Sequence, residues 1–186
     1  RRLAAEVQRQ AIPGLNLADC RLITDAGMAH LQQLTELEFL NLWNTPITNR
    51  GLRVLNKMPG LRILNTGRTQ VTDAGFVHLK GLTELEEAYL GHGRITNAGV
   101  AHLKGLTKLK ALGLSNTLIT DRGLAQLRGF PALSTLQLVE TRITDAGLVH
   151  LKNLTGLRIL DLTGTRVTAR GLTALKAARP DLAIRH

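Results

Sequence analysis

The chain has 186 residues, 44% of them hydrophobic, a single cysteine and a formal net charge of +10. There is ample material for a continuous core, no possible intrachain disulfide, and no apolar run near the ~20 residues of a membrane-spanning helix. Nothing of signal-peptide type stands at the N-terminus, and the lone thiol fits a reducing, cytoplasmic setting.

In chain order, residues 1–11 place Leu3, Ala4, Val7 and Ala11 at helical spacing among Arg and Gln, which predicts a short amphipathic helix capping the first unit of an array. A variant unit follows with Leu15 and Leu17 in its strand and one extra residue between Leu17 and Ile23. Six regular units begin at Leu37, Leu61, Leu85, Leu109, Leu133 and Leu157, and Leu182-Ala183-Ile184 restarts the strand pattern. One phrase, Thr-Asp/Asn-x-Gly-aliphatic, opens at Thr24, Thr48, Thr72, Thr96, Thr120, Thr144 and, with Ala169 in second place, Thr168; each Thr falls 24 residues after the last. A fixed period of this size marks a solenoid. The expectation is one α/β domain over 1–186: cap helix 1–11, repeats 12–182, and the start of a truncated strand at 183–186. Because the chain begins at Arg1 and not at Met, a fragment, domain or processed form is expected.

Within a unit, Leu109-x-x-Leu112-x-Leu114 alternates as a short strand does, and Thr120 then offers an N-cap to a helix whose Leu124, Leu127 and Phe130 point inward. The Asp or Asn after each Thr suits the positive end of a helix dipole. The Gly of the phrase lowers helix propensity in every copy by ~1 kcal/mol, so a steric reason is expected: backbone passing too close for a Cβ. Gly81, Gly105 and Gly129 read as C-caps. Lys80, Lys104, Arg128, Lys152 and Lys176 share one repeat position near the helix ends and predict a solvated, basic convex face.

The pattern Leu-x-x-Leu-x-Leu-x-x-Thr-x-Ile-Thr-Asp-x-Gly-Leu-x-x-Leu resembles the leucine-rich repeats, and the first unit, Leu17 to Met28 with Cys20, resembles their cysteine-containing subfamily, familiar from F-box and related bacterial proteins. The resemblance covers about residues 12–184. It implies a curved solenoid with parallel strands on the concave side, helices on the convex side, and a protein-binding role. Thr45, Thr69, Thr117, Thr141 and Thr165 stand where many relatives have Asn or Cys, with Gly93 in the fourth unit, and predict a hydrogen-bonded Thr ladder.

Candidates for chemistry are repeat columns. His30, His78, His102 and His150 occupy one helix position, and the adjacent His78 and His102 are the pair near enough to share a metal, a thin ligand set without carboxylates. Cys20 is expected as a small buried side chain. Gly91-His92-Gly93 is too short for a phosphate loop. No cofactor and no catalytic group are expected. The informative positions are those facing out of the concave sheet. Of five aromatics in the chain, Phe76 and Phe130 replace core aliphatics, whereas Phe39, Trp43 and Tyr89 fall on the outward set. Gly67, Gly91 and Gly93 are expected to leave a hollow there, with Thr66 and Ala88 replacing strand leucines. The candidate binding surface is Phe39, Asn41, Trp43, Asn65, Arg68, Glu87, Tyr89 and His92, with Gln137 and Asp161 farther along. The expected function is non-catalytic binding of a protein or peptide. The competing readings are anion or nucleic-acid binding by the basic helices, a recognition arm of a larger ligase or kinase, and a plain scaffold.

Overall fold

A computed structural model describes residues 13–186. The expected cap helix at 1–11 lies outside the described residues. Eight strands of three residues each form one parallel sheet in sequence order: β1 (Gly14–Asn16), β2 (Phe39–Asn41), β3 (Ile63–Asn65), β4 (Glu87–Tyr89), β5 (Ala111–Gly113), β6 (Thr135–Gln137), β7 (Ile159–Asp161) and β8 (Ala183–Arg185). The residues expected to restart the strand at 183–186 thus pair fully with β7. Register follows the repeat, so the middle residues Leu15, Leu40, Leu64, Ala88, Leu112, Leu136 and Leu160 form one buried row. Their neighbours on either side project to the open face, as the strand period requires.

Backbone pairing continues past each strand, for example from Leu42 N–H to the Asn65 carbonyl at 2.8 Å and from Asn44 N–H to Gly67 at 2.9 Å. One residue per unit then turns the chain with positive φ: Asp19, Asn44, Arg68, His92, Asn116, Glu140 and Gly164, between 53° and 70°. Asn, Asp and Gly suit this conformation, but at Arg68, His92 and Glu140 it costs about 1–2 kcal/mol.

The convex side departs from the expectation of a helix per unit. Only the last unit has a long one, α4 (Ala169–Ala178); α1 (Asp25–Met28), α2 (Asn97–His102) and α3 (Asp121–Leu124) are one to two turns. The rest is 3₁₀ structure, such as Gly51–Lys57 and Asp73–Leu79. An α-helix with side chains is about 10 Å wide, whereas strands repeat every ~4.8 Å. The tighter 3₁₀ coil limits the resulting splay. These helical stretches end in i−3 bonds such as Phe130 N–H to Leu127, so of the three expected glycine C-caps only Gly105 is left-handed, at φ 100°.

The Thr-Asp-x-Gly phrase proves to be a joint between units. Asp25 Oδ1 accepts Thr48 N–H at 2.8 Å and its Oδ2 accepts the Thr48 hydroxyl at 2.6 Å. Asp73 holds Thr96, Asp121 holds Thr144 and Asp145 holds Thr168 in the same way. Where the residue is Asn the hydroxyl reverses its role: Asn49 and Asn97 donate to the Thr72 and Thr120 hydroxyls at 2.9 Å. A hydroxyl that donates to Asp keeps its lone pairs for capping, and Thr48, Thr96, Thr144 and Thr168 accept N–H groups of their own helical turns. Thr72 and Thr120, already accepting from Asn, show no such cap among the described residues. The expected universal N-cap is therefore confined to units that follow an Asp.

The same joint explains the repeated glycine, and the obstruction is a side chain, not backbone. A Cβ on Gly51 or Gly75 would lie 2.6 Å from Oδ1 of Asp25 or Asn49, and one on Gly99, Gly147 or Gly171 would meet Asp73, Asp121 or Asp145. Gly27 has nothing within 4 Å among the described residues. The Thr column forms no ladder between units. Thr45, Thr69, Thr117, Thr141 and Thr165 each donate at 2.7 Å to the carbonyl three residues earlier in the same unit. Cys20 is exposed, contrary to expectation; the extra residue of the first unit lengthens its turn and leaves the following Leu22 95% exposed.

Candidate functional site

The open face carries the variable residues, and the structure distributes the candidates over two foci with Tyr89 between. At the leading edge, where strands begin, Phe39 and Ile63 join Gly14, Pro13, Glu87 and the charged Glu38, Arg62 and Glu86 around a cleft of about 260 Å³. Beyond the strand ends, at the trailing edge, Trp43 lies across the next unit and reaches the one after. Its ring edge meets the His92 ring at 5.0 Å between centroids and 83°, and the Arg68 guanidinium carbon lies 5.7 Å from the ring centroid. Burial first and the Arg68 charge second push the His92 pKa down, favouring a neutral ring beside the guanidinium.

A pairing rule emerges that concerns all three outward aromatics. Each lies over a glycine of an adjacent unit: Phe39 over Gly14, Trp43 over Gly67 and Tyr89 over Gly113, at each of which a Cβ would meet the ring. Gly67 and Gly91 therefore leave no hollow. Trp43 fills the first, and the second packs against the Ser115 backbone. Only Gly93 opens space, beside His92 and Arg94 in a cleft of about 450 Å³. The Tyr89 hydroxyl donates to Glu87 at 2.8 Å; burial first, then that bond and the Glu87 charge, raise its pKa to about 12 and keep it a donor.

Asn41, Asn65 and Asp161 work locally. Each side-chain Oδ1 accepts the backbone N–H two residues on, from Trp43, Gly67 and Thr163 at 3.0, 2.9 and 3.0 Å, and so shapes the strand exit. Asp161 Oδ1 also accepts the Thr163 hydroxyl at 2.6 Å, and its Oδ2 lies 4.0 Å from Arg185 Nε. Gln137 is exposed beside Gly113 and lies two units beyond Tyr89, and Asp161 lies three units beyond, away from the Phe39 and Trp43 foci.

Sequence reasoning missed the charge pairing of the leading edge. Arg62 binds Glu86 at 2.7 Å, Lys110 binds the other oxygen of Glu86 at 2.6 Å, and Arg62 also lies 3.6 Å from Glu38. The bonds from Lys110 and then Arg62 hold the Glu86 pKa down at about 2. Lys108 pairs Glu84 and Arg158 pairs Asp181 on the same side. The signal was present as a column of alternating sign, Glu38, Arg62, Glu86, Lys110. On the convex side Lys80, Lys104, Arg128, Lys152 and Lys176 are all exposed. Among the described residues no group of three or more His, Cys, Asp or Glu side chains is placed to hold a metal.

Residues 153–176 match a leucine-rich-repeat family model. Among solved structures, an internalin (inlF) from Listeria monocytogenes superposes with a TM-score of 0.72 at 23% identity, covering 98% of this chain and 50% of that one. The fold is the leucine-rich-repeat solenoid. An internalin C2 (inlC2) from the same organism gives a TM-score of 0.67 at 24% identity over 98% of this chain and 83% of that one. The chain thus spans half the length of the first of these internalins. No curated protein matches its sequence significantly. The leucine-rich-repeat architecture accounts for the open sheet, on which the units differ in the residues they display.

Proposed function

We propose that the chain is a non-catalytic binding module that engages a protein or peptide across the open face of the sheet. The observation carrying this reading is the set of three half-buried aromatics, Phe39, Trp43 and Tyr89, each supported by a glycine of an adjacent unit. A ring held in one orientation with part of its surface in water offers apolar area at little further entropic cost, the usual property of an interface anchor. Arg68, Glu87 and His92 orient the partner around the rings, and Asn41 and Asn65 hold the strand exits that place them. Seven strand spacings of ~4.8 Å span roughly 34 Å, enough for the ~800 Å² per side of an ordinary interface. Membership of the cysteine-containing subfamily is supported by Cys20 in the first unit and by the repeated Thr-Asp-x-Gly phrase.

The test is the double variant Trp43→Ala/Tyr89→Ala, measured by calorimetry against an identified protein partner. Affinity falls by at least ~2 kcal/mol while thermal unfolding remains a single transition. Unchanged affinity in a folded double variant sinks the reading.

A further inference from the structure

The cationic excess has an address that the convex lysines obscure. Arg21, Arg68, Arg94, Arg142 and Arg166 all stand exposed along the trailing edge, and none forms a salt bridge among the described residues. Arg94, Arg142 and Arg166 are fixed in extended backbone bridged to Thr72, Thr120 and Thr144 of the preceding units. Arg142 and Arg166, in adjacent units, are therefore about one strand spacing apart, ~4.8 Å at the backbone, with like charge. The carboxylates on this edge are Asp19, bonded to Asn44, Glu140, which leans over Gly164, and the joint residues Asp25, Asp73, Asp121 and Asp145, whose oxygens are taken up by Thr48, Thr96, Thr144 and Thr168. Clefts of about 270, 450 and 400 Å³ run along it, beside Arg68, Arg94 and Arg142 in turn, and the first two share Thr69 and Gln70.

We infer that this edge docks an extended, carboxylate-rich segment of a partner protein. The inference rests on the protein-binding reading above and names the chemistry of the partner. Guanidinium forks match carboxylates in bidentate geometry, and the row of clefts calls for a linear occupant. A single-stranded nucleic acid would also want free aromatic faces for base stacking. The one aromatic near this edge, Trp43, is half-buried and already packed against Gly67, Arg68 and His92.

The experiment measures fluorescence anisotropy of a labelled poly-glutamate peptide at low salt, with poly-uridine RNA alongside. The triple variant Arg94→Gln/Arg142→Gln/Arg166→Gln weakens peptide binding by about tenfold, while Lys80→Gln/Lys104→Gln/Lys152→Gln, removing equal charge from the convex face, changes it less than about twofold. Equal losses in the two variants, absence of peptide binding, or tighter binding of poly-uridine lost in the arginine variant each overturn the inference. Circular dichroism confirms that both variants fold. Trp43→Ala/Tyr89→Ala separates the two readings: loss of an identified partner there, without loss in the arginine variant, leaves the open-face reading standing and removes this one.

Discussion

The two edges of the sheet solve the problem of stacking identical units differently. At the leading edge, side-chain ion pairs tie neighbours together: Glu38, Arg62, Glu86 and Lys110 alternate in sign, and the series of pairs ends near Arg179 and Asp181. At the trailing edge, the Asp/Asn–Thr joints just beyond the strand exits do this work with hydrogen bonds to backbone and hydroxyl. Where ion pairs fasten the stack, the charges are consumed. Where hydrogen bonds fasten it, the edge arginines form no salt bridge among the described residues, and the turns can keep residues such as Arg68 and His92 in a costly conformation. The difference teaches that net charge in a repeat protein is informative only after the pairing columns are removed.

Ways to break the comparison range from large to small effects. The strongest lies at the end of the leading edge. The Arg179 guanidinium is buried and donates to the Leu154 and Leu157 carbonyls at 2.6 and 2.7 Å as well as to Asp181. Arg179→Leu orphans two carbonyls and lowers stability by about 3 kcal/mol in urea denaturation. Next come the joints. Gly147→Ala forces Asp121 off Thr144 and loses about 2 kcal/mol, whereas Gly27→Ala, with open space, is neutral or gains up to about 1 kcal/mol from helix propensity. Equal effects at the two glycines would contradict the joint.

A smaller change sharpens the charge argument. Glu140→Asn relieves a left-handed residue and removes a carboxylate from the trailing edge. Unfolding free energy rises by about 1 kcal/mol and the poly-glutamate probe binds more tightly, a pairing of gains that a merely structural Glu140 would not give. The smallest effect is at the leading edge, where Glu86→Gln costs little stability and that cost shrinks in high salt, as for other exposed pairs.

Acidity probes both edges at once. Glu86 is depressed from its ordinary 4.5 to about 2. For Asp25, burial alone would raise the pKa, but the Thr48 hydroxyl, the Thr48 and Gly51 N–H groups and Arg50 outweigh it; for Asp145 the Thr168 bonds lower it. A carboxylate with a depressed folded pKa stabilises above its unfolded pKa and loses that contribution as pH falls through the folded one. Stability is therefore flat near neutrality as far as these groups go and falls from about pH 4.5 towards about 2. His78 and His92 act earlier: their folded pKa values lie below the ordinary 6.5, so the unfolded chain takes up protons first and stability declines as pH drops below that value. Acid titration of His92→Gln followed by near-UV circular dichroism shows a smaller early decline, the His78 share remaining.

Much of this was legible in the chain. The 24-residue period, the buried Leu rows and the inward Phe76 and Phe130 follow from alternation and spacing, because each unit repeats one solution. The outward placement of Phe39, Trp43 and Tyr89 was legible for the same reason. What escaped was whatever depends on the distance between units. Asp25 looks like a dipole partner until Thr48 of the next unit is placed beside it, and Gly67 looks like a hole until Trp43 of the preceding unit fills it. The 3₁₀ convex side escaped too, since the width available to a helix is set by the neighbouring strands and not by its own residues. Cys20 was misplaced because one extra residue changes a turn that the period alone treats as constant.

The open-face binding claim is tested most directly by comparing two double variants against one identified protein partner by calorimetry. The account predicts that Trp43→Ala/Tyr89→Ala loses at least ~2 kcal/mol of binding while Glu84→Gln/Lys108→Gln, which breaks one leading-edge pair away from the Phe39 cleft, binds as the parent does. Equal affinity of the aromatic variant and the parent, or a loss confined to the leading-edge variant, would contradict it.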